Sequence, residues 1–242
     1  MIVGHRGAAA LGPENTLCGI KKAADIGIHW VEIDTQLTAD GIPVIFHDET
    51  VDRCTNGSGK LASFTLNQLK QLDAGSWFDP KFKNEQVPTL EQALHLCIEQ
   101  NLCLNLEIKV HHSDQVAALV ANVAAAIMPS GFPLDKLLLS SFSLSALKAC
   151  QSLMPDIRRG YITEEKHIDY LYKVEQLDLY SVHVKHSLLT DEMATEITGR
   201  GYVLNIWTLN DPSKCAAFRA MKVSDIITDN PLLFSNVEPS WN

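Results

Sequence analysis

The 242-residue chain has no paired cysteines: Cys18, Cys54, Cys97, Cys103, Cys150 and Cys215 are scattered, and none forms a CxxC pair. A disulfide framework would be unusual in a chain this long, so buried free thiols are expected. Basic residues are also scarce, with 20 Lys and Arg against 29 Asp and Glu and a formal net charge of −9. Nucleic acid is a poor partner for such a chain, because phosphate backbones call for clustered Lys and Arg. Acidity does not exclude a small phosphate substrate, since a bound cation reverses the local field. No uninterrupted apolar run approaches the ~20 residues of a membrane span, and no stable membrane insertion is expected. The opening MIVGHRGAAALGPEN lacks a basic region followed by an apolar stretch, so no signal peptide is expected. These absences together predict a cytoplasmic protein. No low-complexity linker or second boundary interrupts the chain, which predicts a single domain over residues 1–242.

What is present is alternation. Strand-like runs occur at residues 1–4, 30–37, 42–47, 102–110, 136–141, 157–162, 180–185, 202–208 and 225–228. Helical patterns separate most of them, at 16–27, 89–100, 113–128, 144–153, 191–200 and 212–221. Strands separated by helices pair in parallel, because a parallel connection needs a crossover. The run at 42–47 is the exception, since Ala39-Asp40-Gly41 is too short for a crossover and Asp-Gly signals a hairpin. Eight parallel strands remain, the number that closes an α/β (β/α)8 barrel, although an open doubly wound sheet alternates similarly. Residues 49–88, with TNGSG, DAGSWFDP and one short helical pattern at 65–72, read as an insertion of the lid or binding-loop kind.

Alternate residues of a strand share a face. Glu32 and Asp34 in VEIDTQ are therefore neighbours, and Glu107 and Lys109 in NLEIKV repeat the arrangement. If both faces point into a barrel, three carboxylates and an ammonium converge near its mouth. Buried charges need partners. Three carboxylates suit a hard cation such as Mg²⁺ or Ca²⁺ better than zinc; ordinary ion pairing of Glu107 with Lys109, and of the acidic pair with arginines, is the competing explanation.

His5-Arg6-Gly7 and His47-Asp48 follow strand ends, where barrel active sites form. Two histidines supply an acid and a base near neutral pH, and the fork of Arg6 suits a phosphate. Either histidine alone is better explained as a hydrogen-bonded surface or core residue. The remaining histidines are read that way, with a minor question over His183, which shares a strand face with Lys185. Pro13-Glu14-Asn15-Thr16 predicts a helix start capped by Asn15 or Thr16, leaving Glu14 to hold a nearby histidine or arginine. Trp207 ends a strand as either a substrate wall or a core residue.

Taken in order, HRG (5–7), PENT (13–16), EID (32–34), PVIFHD (43–48), LEIK (106–109), SSF (140–142), WTLN (207–210) and ITDNP (227–231) closely resemble the glycerophosphodiester phosphodiesterase family. The resemblance extends over essentially the whole chain, insertion included, and is nearest the cytoplasmic bacterial members. It implies a TIM barrel that hydrolyses glycerophosphodiesters to sn-glycerol 3-phosphate and an alcohol with a divalent cation, Mg²⁺ or Ca²⁺. It further implies Glu32, Asp34 and Glu107 as metal ligands and His5 and His47 as the acid–base pair. Arg6 and Lys109 then bind the phosphate, and Trp207 contacts the substrate. Which histidine is the acid, and whether water or the substrate's own glycerol hydroxyl attacks, stay open. A phospholipase C/D-like enzyme on the same barrel, acting on lipids, is the alternative.

Overall fold

The computed structural model describes residues 1–235. Residues 236–242, included in the single-domain expectation, lie outside the described residues. Nine strands run in chain order: β1 (Ile2–His5), β2 (Trp30–Leu37), β3 (Pro43–Ile45), β4 (Cys103–Ile108), β5 (Leu137–Ser141), β6 (Arg158–Thr163), β7 (Ser181–Lys185), β8 (Val203–Trp207) and β9 (Asp225–Thr228). The helices are α1 (Leu17–Asp25), α2 (Leu66–Leu69), α3 (Leu90–Glu99), α4 (Val116–Ile127), α5 (Leu144–Leu153), α6 (Tyr170–Val174), α7 (Asp191–Gly199) and α8 (Cys215–Ala220).

All strands but β3 pair in parallel, and β1 joins both β2 and β9, so the sheet closes into an eight-stranded TIM barrel. β3 is the antiparallel hairpin partner of β2, with Thr35 opposite Ile45 and Leu37 opposite Pro43. Gly41, at φ 78°, turns the hairpin while its N–H donates to Thr38 O. β3 is shorter than the expected run at 42–47, and His47 lies beyond it. Past Ile45 one backbone bond to β2 remains, from Phe46 N to Asp34 O, and the Gln36 side-chain amide donates to Phe46 O and Asp48 O.

Helix starts follow local capping. Thr16, Ser143 and Thr190 cap α1, α5 and α7, and Thr89 with Gln92 forms a capping box at α3. The choice between Asn15 and Thr16 thus falls to Thr16. α6 has no counterpart among the expected helices, because five residues are too few to show a helical period.

The outward strand residues Val31, Ile33, Leu104, Leu106, Ile108, Leu137 and Leu139 are buried beneath the helices, and Val182, Val184, Leu204, Ile206 and Ile226 do the same on the far side. Each such side chain contributes roughly 1.5–3 kcal/mol, so the outer faces hold the barrel together and the inner faces are left for polar groups. The insertion is better packed than an open lid. Val51, Cys54, Leu61, Leu69, Ala74 and Val87 form a small core with Val44 and Phe46.

Inside the barrel, His183 Nε2 lies 2.8 Å from Ser181 Oγ and 3.2 Å from Asn205 Nδ2. The ring occupies space over Gly160, where any Cβ would sit 2.8 Å from Nε2. Burial pushes the His183 imidazole down from 6.5 to about 4. Below 6.5 the unfolded chain then binds a proton that the folded chain refuses, so stability is full above that pH and is lost as pH falls towards 4. The expected loss across this window is up to about 3 kcal/mol, which His183→Gln removes. Urea melts of the two proteins across that range check it; identical slopes contradict it.

Candidate active site

The barrel register decides which side chains meet. Glu32 pairs with Asn105 on one side and His5 on the other, while Asp34 pairs with Glu107. One carboxylate oxygen from each of Glu32, Asp34 and Glu107 lies within 4.8 Å of the others, and all three residues are buried. Two cations meet this cluster. Lys109 Nζ is 2.8 Å from Glu107 Oε1 and 3.3 Å from Asp34 Oδ1. Arg6 Nε faces Asp34 Oδ2 at 3.6 Å.

The loop from β1 to α1 brings Arg6 here through uncommon backbone conformations: Arg6, Gly7 and Asn15 all have positive φ. For the two residues that are not glycine this costs on the order of 1 kcal/mol or more each. Hydrogen bonds offset the cost. Arg6 N donates to Glu32 Oε2, Gly7 N to Glu32 O, and Asn15 N to Arg6 O. Gly7 is required for a second reason, since a Cβ would lie 2.6 Å from the Gly19 backbone. Asn15 then reaches across: its Nδ2 donates to Asp34 Oδ2 at 2.8 Å, and its Oδ1 accepts from Asp34 N.

These partners divide the carboxylates electrostatically. Burial alone raises the Asp34 carboxyl, but Lys109, His47, Arg6 and the Asn15 amide overcome it and hold Asp34 well below the usual carboxylate range. Glu32 goes the other way. Burial and the charges of Asp34 and Glu107 push it well above that range. Burial and Asp34 likewise push Glu107 up to about 7, against the pull of Lys109. Two cations do not balance three carboxylates, and it is this shortfall of positive charge, together with burial, that pushes Glu32 and Glu107 upwards. The donor set, all oxygen and short of positive charge, fits a hard divalent cation.

Both histidines use Nδ1 to meet a carboxylate. His5 Nδ1 is 2.6 Å from Asp229 Oδ1, and His47 Nδ1 is 2.7 Å from Asp48 Oδ1. Asp229 is held in turn by Asn210 Nδ2 at 2.6 Å. A carboxylate at Nδ1 keeps the proton there in the neutral ring and leaves Nε2 for other chemistry. His5 Nε2 points to the carboxylate cluster, 3.8 Å from Glu32 Oε2. Burial holds the His47 imidazole below its usual range; Lys109 and Arg6 add to this and Asp34 opposes it.

His5, Arg6, Glu32, His47, Glu107, Lys109 and Trp207 line one cavity of about 220 Å³ at the mouth, with Asp34 buried behind them. Trp207 donates its indole N–H to His183 O and meets Phe142 edge-to-face at 5.5 Å, forming an apolar wall opposite the charges. Asn105, Phe142, Ile162, His183, Thr208 and Ile227 complete the lining. Sequence reasoning gave no role to Phe142, Asn105, Arg53 or Asp229, and left only a minor question over His183. Asp229 carried a signal in its place within ITDNP; Asn105 carried one as the same-face neighbour of Glu107.

Comparison with known proteins matches residues 5–233 to the glycerophosphoryl diester phosphodiesterase family. The chain is 31% identical over 239 residues to the glycerophosphodiester phosphodiesterase of Caldanaerobacter subterraneus subsp. tengcongensis, covering 98% of this chain and 97% of that one. A solved phosphodiesterase from Oleispira antarctica, in complex with the product sn-glycerol-3-phosphate, superposes with a TM-score of 0.91 at 34% identity, covering 96% of this chain and 93% of that one. A glycerophosphodiester phosphodiesterase from Agrobacterium tumefaciens superposes with a TM-score of 0.80 at 26% identity, covering 98% and 99%. Among the described residues no helix is long and apolar enough to cross a membrane. A barrel that superposes on solved members over nearly its whole length and a family match over residues 5–233 agree: the chain belongs to the glycerophosphoryl diester phosphodiesterase family and is a glycerophosphodiester phosphodiesterase.

Proposed function

We propose that the mouth of this barrel hydrolyses a glycerophosphodiester to sn-glycerol 3-phosphate and an alcohol, with Glu32, Asp34 and Glu107 holding one divalent cation. The observation that carries the reading is the charge deficit of three buried carboxylates within 4.8 Å of one another, flanked by two histidines and two phosphate-competent cations. A phosphodiester adds one further negative charge. Three carboxylates and that diester against Arg6 and Lys109 leave two negative charges, which one Mg²⁺ or Ca²⁺ balances. When bound, such an ion supplies Lewis-acid stabilisation of the phosphoryl oxygens.

The chain's own groups do the rest. Arg6 and Lys109 bind the non-bridging oxygens and orient the diester, and their charge counters what develops during displacement. One histidine takes the proton of the attacking hydroxyl at Nε2, whether that hydroxyl belongs to water or to the glycerol moiety. The other delivers a proton from Nε2 to the leaving alkoxide. Asp229 and Asp48 hold the two rings in register by accepting from Nδ1. Trp207 and Phe142 exclude water on the apolar side. The neighbour bound to sn-glycerol-3-phosphate supports the glycerol end as the retained part of the substrate. The free cysteines fit a reducing compartment, and we assign the enzyme to the cytoplasm. The reading treats the chain as one barrel domain carrying the insertion at residues 49–88.

The decisive assay is release of sn-glycerol 3-phosphate from glycerophosphocholine with excess Mg²⁺ or Ca²⁺. Activity is expected to fall at least about 100-fold in EDTA and to return with the metal. Full activity in EDTA contradicts the cation, and activity confined to bilayer lipids supports a phospholipase instead. His5→Ala and His47→Ala are each expected to lower kcat by about 100- to 10,000-fold with an unchanged circular dichroism spectrum. A folded variant of either kind with parental kcat removes that histidine from the reaction.

A further inference from the structure

The network that orients the site includes a residue from the insertion, and neither the family likeness nor the proposed mechanism gives that residue a role. Arg53 lies five positions after Asp48 and presents two edges of its guanidinium to two carboxylates. Nε and Nη2 donate to Asp48 Oδ2 and Oδ1 at 2.6 and 2.9 Å. Nη1 and Nη2 donate to Glu14 Oε2 and Oε1 at 2.7 and 2.8 Å. Each carboxylate continues inward to a group at the mouth. Glu14 Oε1 accepts from Arg6 Nη1 at 2.6 Å, and Asp48 Oδ1 meets His47 Nδ1 at 2.7 Å. One unbroken chain of hydrogen bonds therefore runs from Arg6 through Glu14, Arg53 and Asp48 to His47.

We propose that Arg53 is a positioning residue that locks Arg6 and His47 into a single relative arrangement, and that bracing these two groups is what the insertion does for catalysis. The proposal rests on the functional reading above. An isolated exposed ion pair contributes little, but this one differs in three respects. Both ends are bidentate, which fixes direction as well as distance. Its acidic partners are themselves tied to residues that line the cavity. Its backbone is anchored on both sides, by buried Val51 and Cys54 and by Thr55 Oγ1 donating to Val51 O. Arg53 itself does not line the cavity, so its effect passes through its partners. Without it, Glu14 has only Arg6 to neutralise it and pulls that guanidinium off the phosphate. Asp48 is then free to turn, and the His47 ring loses its fixed orientation.

The test compares the parent with Arg53→Ala and Arg53→Lys in the glycerophosphocholine assay, with circular dichroism and melting temperature alongside. Arg53→Ala is expected to lower kcat by about 10- to 100-fold with little change in KM, as misorientation of reacting groups does. Added guanidinium ion, far below denaturing concentration, is expected to restore part of kcat in Arg53→Ala. Arg53→Lys keeps the charge but lacks the fork and is expected to remain impaired; it carries the test if the alanine variant does not fold. Parental kcat in any folded variant overturns the proposal. A raised KM with unchanged kcat also overturns it, because that marks direct substrate contact. Loss of kcat that follows melting temperature and is not rescued by guanidinium overturns it as a fold-stability effect. An inactive parent overturns the functional reading itself, and with it the proposal that rests on that reading.

Discussion

Three carboxylates side by side in a buried barrel mouth repel one another, and the rest of the site is arranged around that repulsion. Asp34 stays ionised because Lys109, Arg6 and Asn15 all face it. Glu32 and Glu107, less well served, are pushed towards their protonated forms. On the proposed reading, the arrangement is unfavourable for an empty barrel and favourable for one that receives a divalent cation and an anionic diester together. Binding energy at such a site goes into assembling charge rather than covering surface, which is where a phosphoryl-transfer enzyme benefits most.

The loops supply what the strands cannot. Strand alternation fixes the carboxylates to within the register of β2 and β4, but the cations and histidines sit at strand ends, where orientation depends on tertiary partners. The β1–α1 loop adopts costly positive φ values at Arg6 and Asn15 to turn a guanidinium and an amide towards Asp34. His47 follows the short β3, between two carbonyls that accept from the Gln36 amide, and is oriented by Asp48. The insertion carries a small core of its own, and Arg53 extends from it to Glu14 and Asp48.

How much of this is legible in the sequence depends on range. The eight parallel strands and the single hairpin are read from periodicity and from Ala39-Asp40-Gly41, because both signals are local. Glu32, Asp34, Glu107 and Lys109 are legible because period-two spacing converts directly to a shared face. The family motifs extend that reading to His5, His47, Arg6 and Trp207, all of which the fold brings to one cavity. What local pattern does not carry is pairing at a distance. Asp229 meets His5 across 224 positions, and Arg53 meets Glu14 across 39. The Gln36 side chain meets the carbonyls of Phe46 and Asp48 ten and twelve residues on, and the five-residue α6 is too short for its period to register.

The central claim is that one cation sits among Glu32, Asp34 and Glu107. Diffraction from crystals grown with Mn²⁺, collected at the manganese absorption edge, tests it most directly. A single anomalous peak bounded by oxygens of all three residues, at about 2.0–2.6 Å as hard cations require, is the expected result. A peak elsewhere, or no peak with the three carboxylates paired only to Arg6 and Lys109, contradicts it.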